Sequence, residues 1–274
     1  MSNAAGETRR MQQESRASVA VLTGGSGGIG RIIASRLLGA GYEVIVLGRR
    51  PPQPAAVGLR HIACDLTDLA SVEAAVRDVS AFTSTVDVLI HCAGVISPCA
   101  VSELDAALLE SQVAINLTAP ILLTSRLLPV MRTGGRIVFV NSLAAVFPLP
   151  GSSVYAATKA GLRNFALALA VEMKPRRIAV SSVFPGAVNT GMLRNEMDHG
   201  GSVLNFVSAP ADPQQIADLV MKAAARPGQE WFTPVCDGVF GRLCMMFPPL
   251  QRLFLPLLTY LGRRGMKRFH RTSS

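Results

Sequence analysis

A tyrosine and a lysine four residues apart, in Tyr155-Ala156-Ala157-Thr158-Lys159, are the side chains of this sequence best suited to moving a proton. On a helix that spacing puts both on one face. A free phenol titrates near pH 10 and is a poor base at neutrality. A neighbouring ammonium favours the phenolate and lowers that value, which is the adjustment a general acid or base requires. With three tyrosines and four lysines in the chain, chance produces such a pair in roughly 4% of shuffled sequences. The plainer reading is an exposed tyrosine beside a solvated lysine.

A second chemical element is Thr23-Gly24-Gly25-Ser26-Gly27-Gly28-Ile29-Gly30, which follows an apolar run and opens a helical pattern. Glycines let the backbone turn tightly and approach a pyrophosphate, and a helix amino terminus adds free N–H groups and a favourable dipole. A glycine cluster alone also makes ordinary turns. The strand before it and the helix after it point to a dinucleotide, with Gly24, Ser26, Gly28, Ile29 and Gly30 in contact. An NAD site commonly carries an acid about twenty residues further on, at the end of the second strand. Here that place reads Leu47-Gly48-Arg49-Arg50. Arg49 can fork around a 2′-phosphate, so NADP(H) is favoured over NAD(H); the alternative is a solvated arginine pair. Asp65, followed by Leu66, is placed to bond an adenine amino group or else to cap the next helix. Ser142 follows the fifth strand, where its hydroxyl can polarise a substrate oxygen, although a serine in such a place is more often a turn residue.

These groups need a frame. Strand-like runs fall at 19–23, 43–47, 61–64, 87–91, 136–141, 178–184 and 230–234, and helical stretches at about 29–40, 69–80, 105–131 with a bend at Pro120, 153–173 and 212–225. Several strands are continuous apolar runs, as strands covered on both faces must be. The expectation is an α/β fold: one Rossmann-type, doubly wound parallel sheet of about seven strands, helices on both faces, and a ligand crevice at the strands' carboxyl ends. Residues 1–17 are polar, lack an apolar run and read as a flexible leader rather than a signal peptide. Residues 18–238 form the dinucleotide-binding and catalytic domain, and 239–274 an apolar, basic extension.

The formal charge is +9, but seven of the Lys and Arg residues lie from Arg242 onward, with no acid after Asp237. The body is nearly neutral, unlike a nucleic-acid enzyme with a basic stripe across its folded face, so no nucleic-acid partner is expected. Five cysteines form no CxxC pair and suit reduced thiols in a cytoplasmic setting. The four histidines make no ligand-spaced set, and no metal is predicted.

Taken together, the residues resemble the short-chain dehydrogenases/reductases. Residues 23–30 match that family's TGxxxGxG loop and 155–159 its YxxxK motif, and the likeness runs from about Val19 to Pro234. It covers Asp65, Ala93-Gly94, Asn116, Ser142 and Pro185-Gly186 with Thr190. The resemblance implies an alcohol dehydrogenase or ketone reductase. Tyr155 would exchange the proton, and Lys159 would also bond the nicotinamide ribose. Ser142 would hold the substrate, Asn116 a water that relays protons to the lysine, and Ala93, Gly94, Pro185, Gly186 and Thr190 the cofactor. Asn116 is otherwise a polar helix residue with a local bond. The family often has Asn-Ala-Gly after the fourth strand; here it is Cys92-Ala93-Gly94, which puts local order there in doubt. A non-catalytic NADP-binding sensor or scaffold on the same fold is the alternative, although such a protein has no need of Tyr155.

Segments expected at the substrate end are apolar: 95–96, 143–150, 192–193 and 203–207. They suit a greasy alcohol or ketone of steroid-, retinoid-, fatty-acyl- or polyketide-like character, and would be equally apolar if they only packed a lid. In the extension, Leu250, Leu253, Phe254, Leu257, Leu258 and Leu261 form a helical stripe, which Pro256 should kink. The extension is too short in uncharged residues to span a bilayer. Peripheral membrane contact through it and covering of the pocket or a subunit interface both stay open. The helices at 105–131 and 153–173 could pair in a homo-oligomer.

Overall fold

The computed structural model describes residues 17–226 and 230–273. The leader expected over 1–17 therefore lies, except for Ala17, outside the described residues. Seven strands form a single parallel sheet: β1 (Ser18–Thr23), β2 (Tyr42–Gly48), β3 (Leu59–Ala63), β4 (Val86–His91), β5 (Met131–Val140), β6 (Ala179–Pro185) and β7 (Glu230–Thr233). Their order is β3-β2-β1-β4-β5-β6-β7. The chain winds outward from β1 in one direction, then returns to β4 and winds the other way. That reversal opens a crevice at the carboxyl ends of β1 and β4.

Alternation along each strand sends side chains to two cores. Val19 and Val21 of β1 join Ile45, Leu89, Ile137 and Phe139 on one face. Ala20 and Leu22 join Val44, Val46, Ile90 and Val138 on the other. Both faces are buried, so both alternate positions must be apolar, which is why the strands read as unbroken runs. The second core is covered by α1 (Gly28–Gly39) and α7 (Pro213–Ala225), through Ile33, Leu37, Ala217 and Val220. The first is covered by α2 (Leu69–Phe82), α4 (Ala119–Leu127) and α5 (Ser153–Glu172), through Val72, Leu123 and Leu162.

The helical run before β5 differs from the expected single helix bent at Pro120. α3 (Ala106–Val113) passes into a π-turn at Ala114–Thr118, and α4 follows with Pro120 in its first turn. Proline has no N–H to return to the carbonyl four residues back, which is that of Asn116, and its ring would collide with it. The helix relieves the conflict by widening ahead of the proline, so the irregularity falls at Asn116 itself. The run Ala106–Val130 has the length and hydropathy of a membrane span, yet Ala119, Leu123 and Leu127 bury one side of it on the sheet.

Beyond α6 (Gly191–Asp198) and the short turn Val203–Phe206, the chain ends in α8 (Val235–Met246) and α9 (Pro248–Ser273). α8 begins before position 238, and α9 continues through Pro256. Glu230 fixes the root of this pair: its carboxylate takes both Arg163 of α5, at 2.6 and 3.0 Å, and Arg242 of α8, at 2.9 Å.

Candidate functional site

The carboxyl ends of the strands open into one cleft of about 1170 Å³. Pockets for a single small ligand run to roughly 300–1,000 Å³, so there is room for a dinucleotide and a second molecule. Gly24, Ser26, Gly28, Ile29, Gly30, Arg49, Asp65, Leu66, Ala93, Gly94, Ser142, Tyr155, Lys159, Pro185, Gly186 and Thr190 all line it. Of the expected site residues only Asn116 does not.

At the glycine end, backbone geometry explains the residue types. Gly24 has φ +74°, and a Cβ there would lie 2.8 Å from the Ala93 backbone. A Cβ on Gly30 would fall 2.1 Å from the Gly24 carbonyl oxygen, so the loop closes on the helix only without side chains. α1 has Gly27 as its cap, with no side chain bonded to its first N–H groups and no acid in its first turn. α2, α3 and α7 are capped instead by Asp68, Asp105 and Asp212. α1 begins at the cleft with donors left for an anion. These features fit a dinucleotide pyrophosphate.

Further out, Arg49 and Arg50 are exposed at the rim beyond β2. Asp65 does not cap α2. One of its oxygens accepts from the Thr67 N–H and hydroxyl, at 2.9 and 2.7 Å. Those bonds, with the charge of Arg49 adding to them, hold its carboxyl below the usual range against the opposing effect of burial. Cys92 stands in place of the family's asparagine. The Thr23 hydroxyl oxygen accepts from both Cys92 N–H, at 3.1 Å, and Ala93 N–H, at 3.2 Å, tying the end of β4 to that of β1.

At the other end, Lys159 is buried beneath Tyr155. Its Nζ donates to the Val140 carbonyl at 3.2 Å and lies 5.7 Å from the centre of the Tyr155 ring. Burial pulls the ammonium down to about 8, opposed by the nearby Cys92 thiol. A Cβ on Gly94 would sit 3.6 Å from that Nζ and 3.4 Å from Asn116 Oδ1. Burial pushes the Tyr155 phenol up to about 12, with a hydrogen bond from Ser142 opposing and the charge of Glu196 reinforcing. In the protein alone desolvation dominates, and the lysine is turned to a carbonyl rather than to the phenol oxygen; the expected lowering calls on the ammonium together with the positive nicotinamide of an oxidised cofactor. Ser142 Oγ accepts from Ala144 N–H at 3.1 Å, which leaves its own proton to donate.

Asn116 is completely buried behind this wall. Its amide spans Val95, accepting from the N–H at 2.9 Å and donating to the carbonyl at 2.8 Å, and reaches Thr158 Oγ1 at 3.3 Å. Its side chain is fully committed. What remains is its main-chain carbonyl, which Pro120 cannot serve.

Apolar side chains dominate the substrate end: Val95, Ile96, Leu143, Phe147, Leu149, Met192 and Leu193 line it as expected. Three more, Phe240 of α8 and Phe254 and Leu258 of α9, come from the carboxyl-terminal helices. Glu196 is a polar exception in this wall. It is buried in α6 with Oε1 accepting from Asn205 at 2.7 Å, and burial raises its carboxyl above the usual range. Sequence reasoning missed it. A helix over 191–198 would have placed it one turn from Leu193 on the inner face, but the polar segment gives no periodic signal.

The short chain dehydrogenase family model matches residues 18–200. An uncharacterized short-chain type dehydrogenase/reductase of Sinorhizobium fredii is 30% identical over 226 residues, covering 79% of this chain and 89% of the relative. The 3-oxoacyl-acyl-carrier-protein reductase MabA of Mycobacterium tuberculosis is 30% identical over 206 residues, covering 73% and 82%. Among solved structures, a blue fluorescent protein from a metagenomic library, in complex with NADPH, superposes with a TM-score of 0.69 at 26% identity, covering 78% of this chain and 95% of that one. The chain belongs to the short-chain dehydrogenase/reductase family of oxidoreductases.

Proposed function

We propose that this protein is an NADP(H)-dependent reductase and dehydrogenase that interconverts an apolar ketone and its secondary alcohol, with Tyr155 as the proton donor and acceptor. The observation that carries the reading is that Tyr155, Ser142 and Lys159 face the same cleft as the glycine loop. The nicotinamide cofactor, when bound, supplies or takes the hydride at the carbonyl carbon. Everything else falls to side chains of this chain. Ser142 donates to the carbonyl oxygen, where negative charge develops. Tyr155 gives the same oxygen its proton, so hydride on carbon and proton on oxygen complete the alcohol. The phenol is protonated at neutral pH, so its proton is in place for the reductive direction, while burial makes it a weaker acid. The Lys159 ammonium limits the cost of the phenolate left behind. A water on the Asn116 carbonyl would return the proton from solvent through the lysine.

Gly24, Ser26, Gly28, Ile29 and Gly30 would hold the pyrophosphate, and Asp65 with Leu66 the adenine. Ala93, Gly94, Pro185, Gly186 and Thr190 would hold the nicotinamide half. Support for NADP(H) comes from Arg49 at the cleft rim with no acid at the end of β2, and from the NADPH bound in a similar structure. The apolar wall supports a greasy substrate. Leu108 and Leu109 of α3 and Leu167 and Val171 of α5 remain exposed, which favours pairing of these helices in a homo-oligomer. All five thiols are free, in keeping with a reducing, cytoplasmic compartment.

Three measurements test this reading. Tyr155→Phe is expected to lower NADPH-dependent reduction across a ketone panel by on the order of 10²- to 10⁴-fold, with NADPH affinity unchanged. Equal turnover by the variant would remove Tyr155 from the chemistry, and silence of the native enzyme with tight NADPH binding would favour the sensor. Arg49→Gln is expected to weaken NADPH binding by on the order of 10- to 100-fold, the loss of a charge-assisted bond, with NADH binding unaltered; parallel loss of both would refute the phosphate role. Glu196→Gln removes a charge that raises the Tyr155 phenol. The phenolate absorbance that Tyr155→Phe eliminates should therefore appear at lower pH in the glutamine variant. A shift to higher pH would contradict the sign.

A further inference from the structure

The two carboxyl-terminal helices are docked the wrong way round for a water-facing surface. Such helices normally bury their large apolar side chains and show polar ones. Here Phe240, Phe254 and Leu258 point in toward the cleft, but the closest inward contacts are made by glycines. A Cβ on Gly238 would lie 2.4 Å from the Phe232 side chain, and one on Gly241 2.8 Å from Val146. In α9, Cβ atoms on Gly262 and Gly265 would come within 2.3 Å of the Val203 carbonyl oxygen and 2.0 Å of that of Phe206. Glycine lets each helix lie directly on its support, and a second set of large side chains turns outward. Val235 and Met246 of α8 are 70% and 69% exposed, and Leu253 and Leu257 of α9 71% and 52%.

This outward surface is ordered. Val235, Val239, Leu243 and Met246 share one face of α8, at i, i+4, i+8 and i+11. Leu253, Leu257, Tyr260 and Leu261 share one face of α9, and the same face continues as Arg264, Lys267 and Arg271, all exposed. An apolar half thus leads along one helix into a cationic half, and no acid follows Asp237.

The geometry points to a lipid bilayer bearing anionic headgroups as the occupant of this surface. The apolar faces of α8 and the first half of α9 enter the acyl boundary, and Arg264, Lys267 and Arg271 meet the phosphates. Charge complementarity selects this occupant over a second copy. In a two-fold contact the face meets itself, so the cations of one copy meet either the cations or the apolar half of the other, with no acid in α9 to answer them. The same helices put Phe254 and Leu258 into the cleft wall, so the membrane-facing surface and the substrate end share one element. The membrane assignment does not depend on turnover or on the coenzyme.

The test is sedimentation of the full chain with vesicles of phosphatidylcholine alone or mixed with phosphatidylglycerol. Binding should be strong to the mixed vesicles and weak to the neutral ones. Arg264→Gln/Lys267→Gln/Arg271→Gln should weaken binding to the mixed vesicles by on the order of 100-fold, from three cations at about 1 kcal/mol each. Leu253→Gln/Leu257→Gln should lose binding to both kinds. Both variants should bind NADPH as the native chain does, since none of these residues lines the cleft. Absence of binding by the native chain would overturn the proposal, as would binding that neither variant alters. Loss of an oligomer in the leucine variant, without any vesicle binding, would assign the face to a second copy and also overturn it.

Discussion

An ammonium held out of water is the constraint around which the reactive end of the cleft is arranged. Taking Lys159 from solvent is costly unless partners replace its hydration, and the protein meets that cost with the sheet. The carboxyl end of β5 presents the Val140 carbonyl, which takes one Nζ–H. Gly94, at the end of β4, leaves space where a side chain would crowd both Lys159 and Asn116. α5 carries Lys159 and Tyr155 together, so whatever positions the lysine also positions the phenol. The burial that draws the ammonium down raises the phenol. Each group alone is displaced toward its neutral form; the positive nicotinamide of an oxidised cofactor would favour the phenolate and work against the ammonium.

The glycine loop and the tyrosine–lysine pair were legible because their spacing is local. Gly30 is required by the Gly24 carbonyl six residues back and Tyr155 and Lys159 stand one helical turn apart, although Gly24 also answers to the distant Ala93 backbone. Strand positions were legible because a sheet buried on both faces requires continuous apolar runs. Ends were less so. β5 begins at Met131 rather than 136, since Thr133, Gly134 and Gly135 carry no strand signal. Pro120 marked the right helix but the wrong residue: its effect is felt four positions earlier, at Asn116. Glu196 was invisible because an isolated acid in a polar segment looks solvated, and only the packing of α6 buries it.

The carboxyl-terminal stripe shows the same limit from the other side. Leu250, Leu253, Phe254, Leu257, Leu258 and Leu261 repeat at helical spacing, and such a stripe ordinarily faces the core. The fold divides it. Phe254 and Leu258 reach the cleft, while Leu253, Leu257 and Leu261 face outward, because Gly262 and Gly265 decide how α9 lies. Periodicity identifies the helix; the smallest residues choose its buried face. Phe240 links the two helices at this point, 5.6 Å from Phe254 and 5.9 Å from Phe147 between ring centres.

The proposed function rests on one spatial relation, between the Tyr155 hydroxyl and the hydride-bearing carbon of a nicotinamide ring that would lie at Pro185 and Gly186. A crystal structure of the NADP⁺ complex measures it directly. The expected complex has the ring against Pro185-Gly186, with its C4 and the phenol oxygen separated by the space of one carbonyl group, each about 3–3.5 Å from the atom it would serve. A ring ordered elsewhere in the cleft, with Tyr155 out of reach of any carbonyl in contact with C4, would contradict the proton-donor role at its root.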